Sequence, residues 1–114
     1  MKAILINPID ETVTEIDHKG DIAKTIDTRM IECVPIDKQD DIWIDEEGLL
    51  KGSNYFYKYR GTLLCGKSLV LSVDKMGESK KCNHTLEEIK KDIIFIGKKG
   101  IDESKLGFSI MPLQ

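Results

Sequence analysis

Eight consecutive residues, Gly61-Thr62-Leu63-Leu64-Cys65-Gly66-Lys67-Ser68, match the phosphate-loop pattern G-x-x-x-x-G-K-[ST] letter for letter. That pattern works because backbone amides cradle phosphates, the lysine reaches the β/γ oxygens and the hydroxyl holds Mg²⁺. It also needs a helix beginning at the Lys-Ser, so that its positive end faces the anion. Here Ser68 runs into Leu69-Val70-Leu71-Ser72-Val73, whose periodicity is that of a strand. The match reads as a coincidence. A nucleotide-binding enzyme using the Gly61–Ser68 loop, through Lys67 and Ser68, stands as the rival reading of the chain.

Other reactive residues are sparse. Cys82-Asn83-His84, taken with Cys33, Cys65 and His18, suggests zinc, but a closed zinc site shows close ligand pairs and this chain has none. A cysteine nucleophile activated by His84 or His18 needs a base nearby in space, which spacing alone does not supply. Cys33 and Cys65 sit among apolar neighbours, as small core residues do. Asn83-His84-Thr85 fits a glycosylation sequon, yet Thr85 serves better as a helix cap. No catalytic residue, metal-ligand set or cofactor follows from these residues.

Two patterns suit binding. Asp40, Asp41, Asp45, Glu46 and Glu47 form an acidic set without the glycine spacing of a calcium loop, and the plain reading is a solvated turn. Asp45, Glu46 and Glu47 are candidate contacts for a basic protein surface. Tyr55, Tyr57 and Tyr59 alternate with Phe56, Lys58 and Arg60. Aromatic and cationic groups interleaved on a strand can stack a base or anchor a partner, so Tyr57, Lys58, Tyr59 and Arg60 are candidates for a nucleotide. A half-buried sheet face explains the same stripe equally well.

Alternation and turn residues predict the elements that position these groups. Lys2–Asn7 and Thr12–Ile16 form a hairpin around Pro8–Glu11. Asp21 caps a short helix ending near Arg29. Met30–Ile36 and Ile42–Ile44 form a second hairpin across a polar turn, with Trp43 opposite Ile42 and Ile44. In Asp45-Glu46-Glu47-Gly48 the glycine is expected at positive φ. Leu69–Val73 is the clearest strand, with Asp74–Glu78 as its turn. Thr85-Leu86-Glu87-Glu88 is a capping box opening a helix through Lys91, and Ile93–Ile96 is a last strand stopped by Gly97.

Length and composition set the frame. A chain of 114 residues, 40% apolar and 32% charged, is large enough for a single core. Its apolar runs are far shorter than the roughly 20 residues needed to cross a bilayer. A net charge of −3 with both signs interspersed argues against direct nucleic-acid binding. Three cysteines without close pairing, and no secretion signal, indicate a reducing cytoplasm.

The chain also resembles a family of small domains of unknown function found in phages, prophages and plasmids. The residues that carry the likeness are MKAILINP, ETVTEI, IECVPI, IWIDEEGLLKGSNYF, CGKSLVLSVDKMGES and HTLEEIKKDIIFIG, spread over most of residues 1–97. That family commonly carries glycine where Ser68 stands, a further mark against a phosphate loop. The likeness implies a setting, the cytoplasm of an infected or plasmid-bearing host cell, and no reaction, and it transfers no catalytic residue.

The expected fold is a compact α+β domain over residues 1–97, with a mostly antiparallel sheet of about five to six strands and two short helices. Residues 98–114 form a C-terminal tail, docked or extended. Two short helices leave part of the sheet uncovered, so a homodimer contact through the tail or the Trp43 face is expected. The expected function is that of a non-catalytic accessory binding protein that antagonises host defence. It would occlude a host protein or sequester a small nucleotide. A structural phage protein is a further alternative.

Overall fold

The computed structural model describes residues 1–37, 39–47 and 55–98. The two sequence-predicted hairpins form as β1 (Lys2–Asn7) with β2 (Thr12–Asp17), and β3 (Ile31–Pro35) with β4 (Asp41–Asp45). Between them Asp21 caps α1 (Ile22–Thr25), its carboxylate accepting from the Ala23 amide at 3.0 Å. The helix stops well short of Arg29. Asp27 takes a left-handed φ of 58°, and the amides of Asp27 and Thr28 turn back to the carbonyls of Lys24 and Ala23. This is a Schellman-type ending, and aspartate tolerates the position usually held by glycine.

The remaining elements are β5 (Tyr55–Tyr59), β6 (Thr62–Cys65), β7 (Ser68–Val73), the two-residue β8 (Ser79–Lys80), α2 (Leu86–Lys90) and β9 (Ile93–Lys98). Thr85 and Glu88 close the expected capping box, Thr85 Oγ1 accepting from the Glu88 amide at 3.1 Å. The fold is α+β with mostly antiparallel strands, as expected, but the strands divide into two sheets. The larger has the order β2-β1-β7-β4-β3, with β8 on the end of β7, and the smaller has the order β6-β5-β9. β9 runs through Gly97, whose φ is 114°, and does not stop there.

Strand β7 is inserted between the two hairpins and explains the core. Ser68, Leu69, Val70 and Leu71 are all fully buried, so both faces of the larger sheet are covered at its centre. On one face Ile4, Ile6, Ile42 and Val70 meet Tyr57, Tyr59 and Leu64 of the smaller sheet and Ile89 of α2. On the other face Ala3, Leu69 and Leu71 meet Ile26, with Trp43, Leu5 and Ile22 packed at the margin. Each fully buried Leu, Ile or Val contributes about 1.5–3 kcal/mol relative to exposure. Among the described residues no helix is long and apolar enough to cross a membrane. The expected tail beyond Lys98 and the expected positive φ at Gly48 lie outside the described residues.

Candidate functional site

The acidic residues near the end of β4 are held in place by their own backbone. Asp45 Oδ1 accepts from the Glu47 amide at 2.9 Å, and the Glu46 amide donates to the Met30 carbonyl at 2.9 Å. These bonds pin the chain after β4 to the start of β3. Asp45 is only 8% exposed, whereas Glu46 projects to solvent and Glu47 is half-buried. Glu32 stands opposite Ile44 in the β3–β4 register and is exposed. Glu32, Asp45 and Glu46 line a cleft of about 60 Å³ whose other walls are Ile44, Leu63, Leu64 and Cys65. Apolar walls beside carboxylates suit the stem and head of an arginine or lysine. The cleft brings Asp45 and Glu46 together with Glu32, and Glu47 is not in its lining.

Asp40 does something different from the rest of the acidic set. It is 1% exposed, so it is not part of a solvated turn. Its carboxylate accepts from the backbone amides of Asn83 and His84 at 2.9 Å, from Asn83 Nδ2 at 3.0 Å and from the Cys82 thiol at 3.4 Å. His84 Nδ1 lies 2.5 Å from Asp40 Oδ2, and His84 Nε2 lies 3.1 Å from Asp37 Oδ2. Asp37 in turn accepts from the Gln39 and Asp40 amides through Oδ1. Burial works to raise the Asp40 carboxyl, but the bonds from His84, Asn83 and Cys82 outweigh it and hold it below the usual aspartate range.

The outcome is a clasp between the β3–β4 turn and the segment leading into α2. Burial pushes the Cys82 thiol up to about 12, which keeps it protonated at neutral pH, and both His84 nitrogens face carboxylates. These residues do not assemble a thiolate–imidazole pair. Among the described residues no group of three or more His, Cys, Asp or Glu is placed to hold a metal ion.

The phosphate-loop match folds as strand, turn and strand. Thr62–Cys65 is β6, and Ser68 opens β7, where a phosphate loop has the start of a helix. Lys67 Nζ lies 2.5 Å from Asp27 Oδ2. Ser68 Oγ is buried, accepts from the Tyr57 hydroxyl at 2.6 Å and donates to the Gly66 carbonyl at 3.1 Å. The lysine and hydroxyl that a phosphate loop uses are thus paired within the fold, with Asp27 and with Tyr57 and Gly66.

The tyrosine stripe belongs to the core. Phe56 and Tyr57 are buried at 2% and 0% exposure, so both faces of β5 are covered there, and between them the pairing with β9 carries a bulge. Burial raises the Tyr57 phenol well above its ordinary value. Tyr59 is also buried, while Arg60 sits over its ring at 5.1 Å and pairs with Asp92 at 2.9 Å. Tyr57 and Tyr59, at 0% and 5% exposure, lie deeper than the half-buried sheet face weighed for this stripe. Lys58 is half-buried and Arg60 exposed.

The sequence model of a family described as a domain of unknown function, DUF3846, matches residues 1–93. The chain belongs to that family. No curated protein and no solved structure matches it. The DUF3846 match runs from β1 to the first residue of β9, and so takes in the cleft, the clasp and every strand of the larger sheet.

Two features of this DUF3846 domain escaped the reading of its sequence. Glu32 joins the cleft because it shares a face with Ile44, a cross-strand relation visible only once the β3–β4 register is known. The clasp joins Asp40 to His84 across 44 residues. Asp37 and Asp40 on one side, and Asn83-His84 before a helix cap on the other, were legible separately. Nothing in their spacing joins them.

Proposed function

We propose that this domain is a non-catalytic binding protein that takes a basic side chain of a protein partner into the Glu32–Asp45–Glu46 cleft. The observation that carries the reading is the pairing of the exposed carboxylates of Glu32 and Glu46, with Asp45 buried beside them, and apolar walls in a cleft of about 60 Å³. At this size the cleft suits the end of a long side chain inserted from a partner. The acidic balance of the chain adds steering toward a basic partner. Following the resemblance to phage, prophage and plasmid domains, the partner is a host defence protein, and binding occludes its basic surface in the host cytoplasm.

Capture from the lysate of a defended host tests this directly. The wild-type chain retains a defined partner, and E32K/E46K loses it with an unchanged melting temperature. Expression of the wild type, and not of the variant, raises plaque formation on that host. Equal capture by both chains removes the cleft from the interface, and unaltered plaque formation removes the anti-defence role.

A further inference from the structure

A groove of about 250 Å³ opens where the start of β2 meets the end of α2 and the start of β9. Strand β2 contributes Val13 with a threonine on either side, and β9 contributes Ile93 and Phe95. α2 packs against β2, and Val13 and Ile89 belong to the core cluster on which Ile93 and Phe95 also pack. The floor of the groove is therefore a margin of the core, where Ile93 and Phe95 remain only half-buried.

Two charges of opposite sign complete the lining. Glu11 is the last residue of the β1–β2 turn, and Lys90 is the last residue of α2. Both are exposed, and among the described residues neither forms an ion pair with the other or with a third group. The turn does not need the Glu11 side chain, because Asn7 Oδ1 holds it by accepting from the Ile9 and Asp10 amides at 3.0 and 3.4 Å. Glu11 itself has a left-handed φ of 56°, which suits glycine or asparagine better than glutamate. A carboxylate thus stands beside the groove at a position where the backbone favours other residues.

We infer that this groove binds a free apolar amino acid, with its ammonium group at Glu11, its carboxylate at Lys90 and its side chain over Val13, Ile93 and Phe95. An apolar floor with a few convergent polar groups is the usual build of a small-molecule site. About 250 Å³ lies just under the roughly 300–1,000 Å³ of pockets for drug-sized ligands, which suits a ligand of amino-acid size. Charge decides among ligands of that size. A simple amine leaves Lys90 without a counterion and a simple carboxylate leaves Glu11 without one, whereas a zwitterion answers both. A polar side chain would lose its hydration against three apolar groups and gain no hydrogen bond from them. The groove shares no residue with the Glu32–Asp45–Glu46 cleft, and the inference does not need a protein partner there.

The test titrates the full chain with L-leucine and L-phenylalanine and follows its amide resonances by NMR. Both ligands shift the amides of Val13, Lys90, Ile93 and Phe95 to saturation, and glycine and serine do not. Leucinamide, which lacks the carboxylate, and N-acetyl-leucine, which lacks the ammonium group, each bind about tenfold more weakly than leucine, the scale of one charge-assisted hydrogen bond. Glu11→Gly relaxes the turn, so its melting temperature is no lower than that of wild type. It weakens leucine about tenfold and leaves N-acetyl-leucine unchanged. Lys90→Met weakens leucine to the same degree and leaves leucinamide unchanged. Equal binding of leucine, leucinamide and N-acetyl-leucine, shifts confined to residues outside the groove, or no shift with either apolar amino acid up to its solubility would each overturn the inference. So would shifts at these four amides that follow protein concentration alone, because the occupant is then a second copy. Contacts from residues 101–114 to Phe95 would overturn it as well, by making the chain's own C-terminal segment the occupant.

Discussion

Replacing Asp40 with alanine removes the acceptor at the centre of the clasp and leaves its donors behind. The amides of Asn83 and His84, the Asn83 side chain, the His84 ring and the Cys82 thiol all point at this carboxylate. His84 has a side chain only 12% exposed and that of Asp40 is fully buried, so water replaces few of these bonds. Removing one partner of a buried charge-paired group costs about 3–5 kcal/mol. Asn83 is exposed and recovers some hydration, which places the expected loss at the lower end, about 3 kcal/mol. Against a domain stability of about 5–15 kcal/mol, that loss is easily measured. Urea unfolding followed by the fluorescence of Trp43, the single tryptophan, reads it directly. A double-mutant cycle with His84→Ala should give a coupling energy above about 1 kcal/mol, because the two residues share one network. A loss under about 1 kcal/mol for Asp40→Ala, or additive single mutants, would refute the claim that these bonds hold the turn to α2.

Further expectations follow the same physics. Because the Asp40 carboxyl is held below its ordinary value of 3.8, its contribution is fully present above that pH and is lost as pH falls through the folded value; urea midpoints measured from pH 5 down to 2 should fall, and Asp40→Asn should flatten that acid limb. Thr85→Ala removes the acceptor for the Glu88 amide, and thermal melting should show a loss of about 1 kcal/mol. Tyr57→Phe deletes the buried hydroxyl donating to Ser68 Oγ, for an expected loss of about 1–2 kcal/mol in urea unfolding. Lys67→Ala breaks a partly exposed ion pair with Asp27 and should cost under about 1 kcal/mol. Calorimetry should find no ATP and Mg²⁺ binding in either wild type or Lys67→Ala; binding in wild type that disappears in the variant would restore the phosphate-loop reading.

Much of the fold was legible because its signals are local. Alternation located β1 to β4 and β7, and the Thr85–Glu88 box located the start of α2. Where the reading failed, the deciding contact lay far away in sequence. Thr62–Cys65 was absorbed into an apparent phosphate loop, and its pairing with β5 is what makes it a strand. The division into two sheets depends on β5 choosing β9 and β6 as neighbours, which local alternation cannot express. The burial of Tyr57 and Tyr59 shows the same limit: the larger sheet and Ile89 that cover them come from distant parts of the chain. Of the candidate site, Asp45 and Glu46 were legible as an acidic pair after a strand, while Glu32 and the β6 walls needed the register. The left-handed Asp27 ended α1 early, with no glycine to announce it.

The place of β7 between the hairpins also dictates an order of assembly. The β1–β2 and β3–β4 hairpins close over short loops, whereas Ile4 meets Val70, and Val70 meets Ile42, only across long stretches of chain. On a ribosome both hairpins emerge before the strand that joins them. Until Ser68–Leu71 arrives, β1 and β4 expose their inner edges and the apolar faces of Ile4, Ile6 and Ile42. Long-range closure of this kind is slow, and open strand edges favour intermolecular pairing while it is pending. A chain released before residue 73 is therefore a pair of sticky hairpins without a common partner, and the yield of native protein depends on how quickly β7 slides between them.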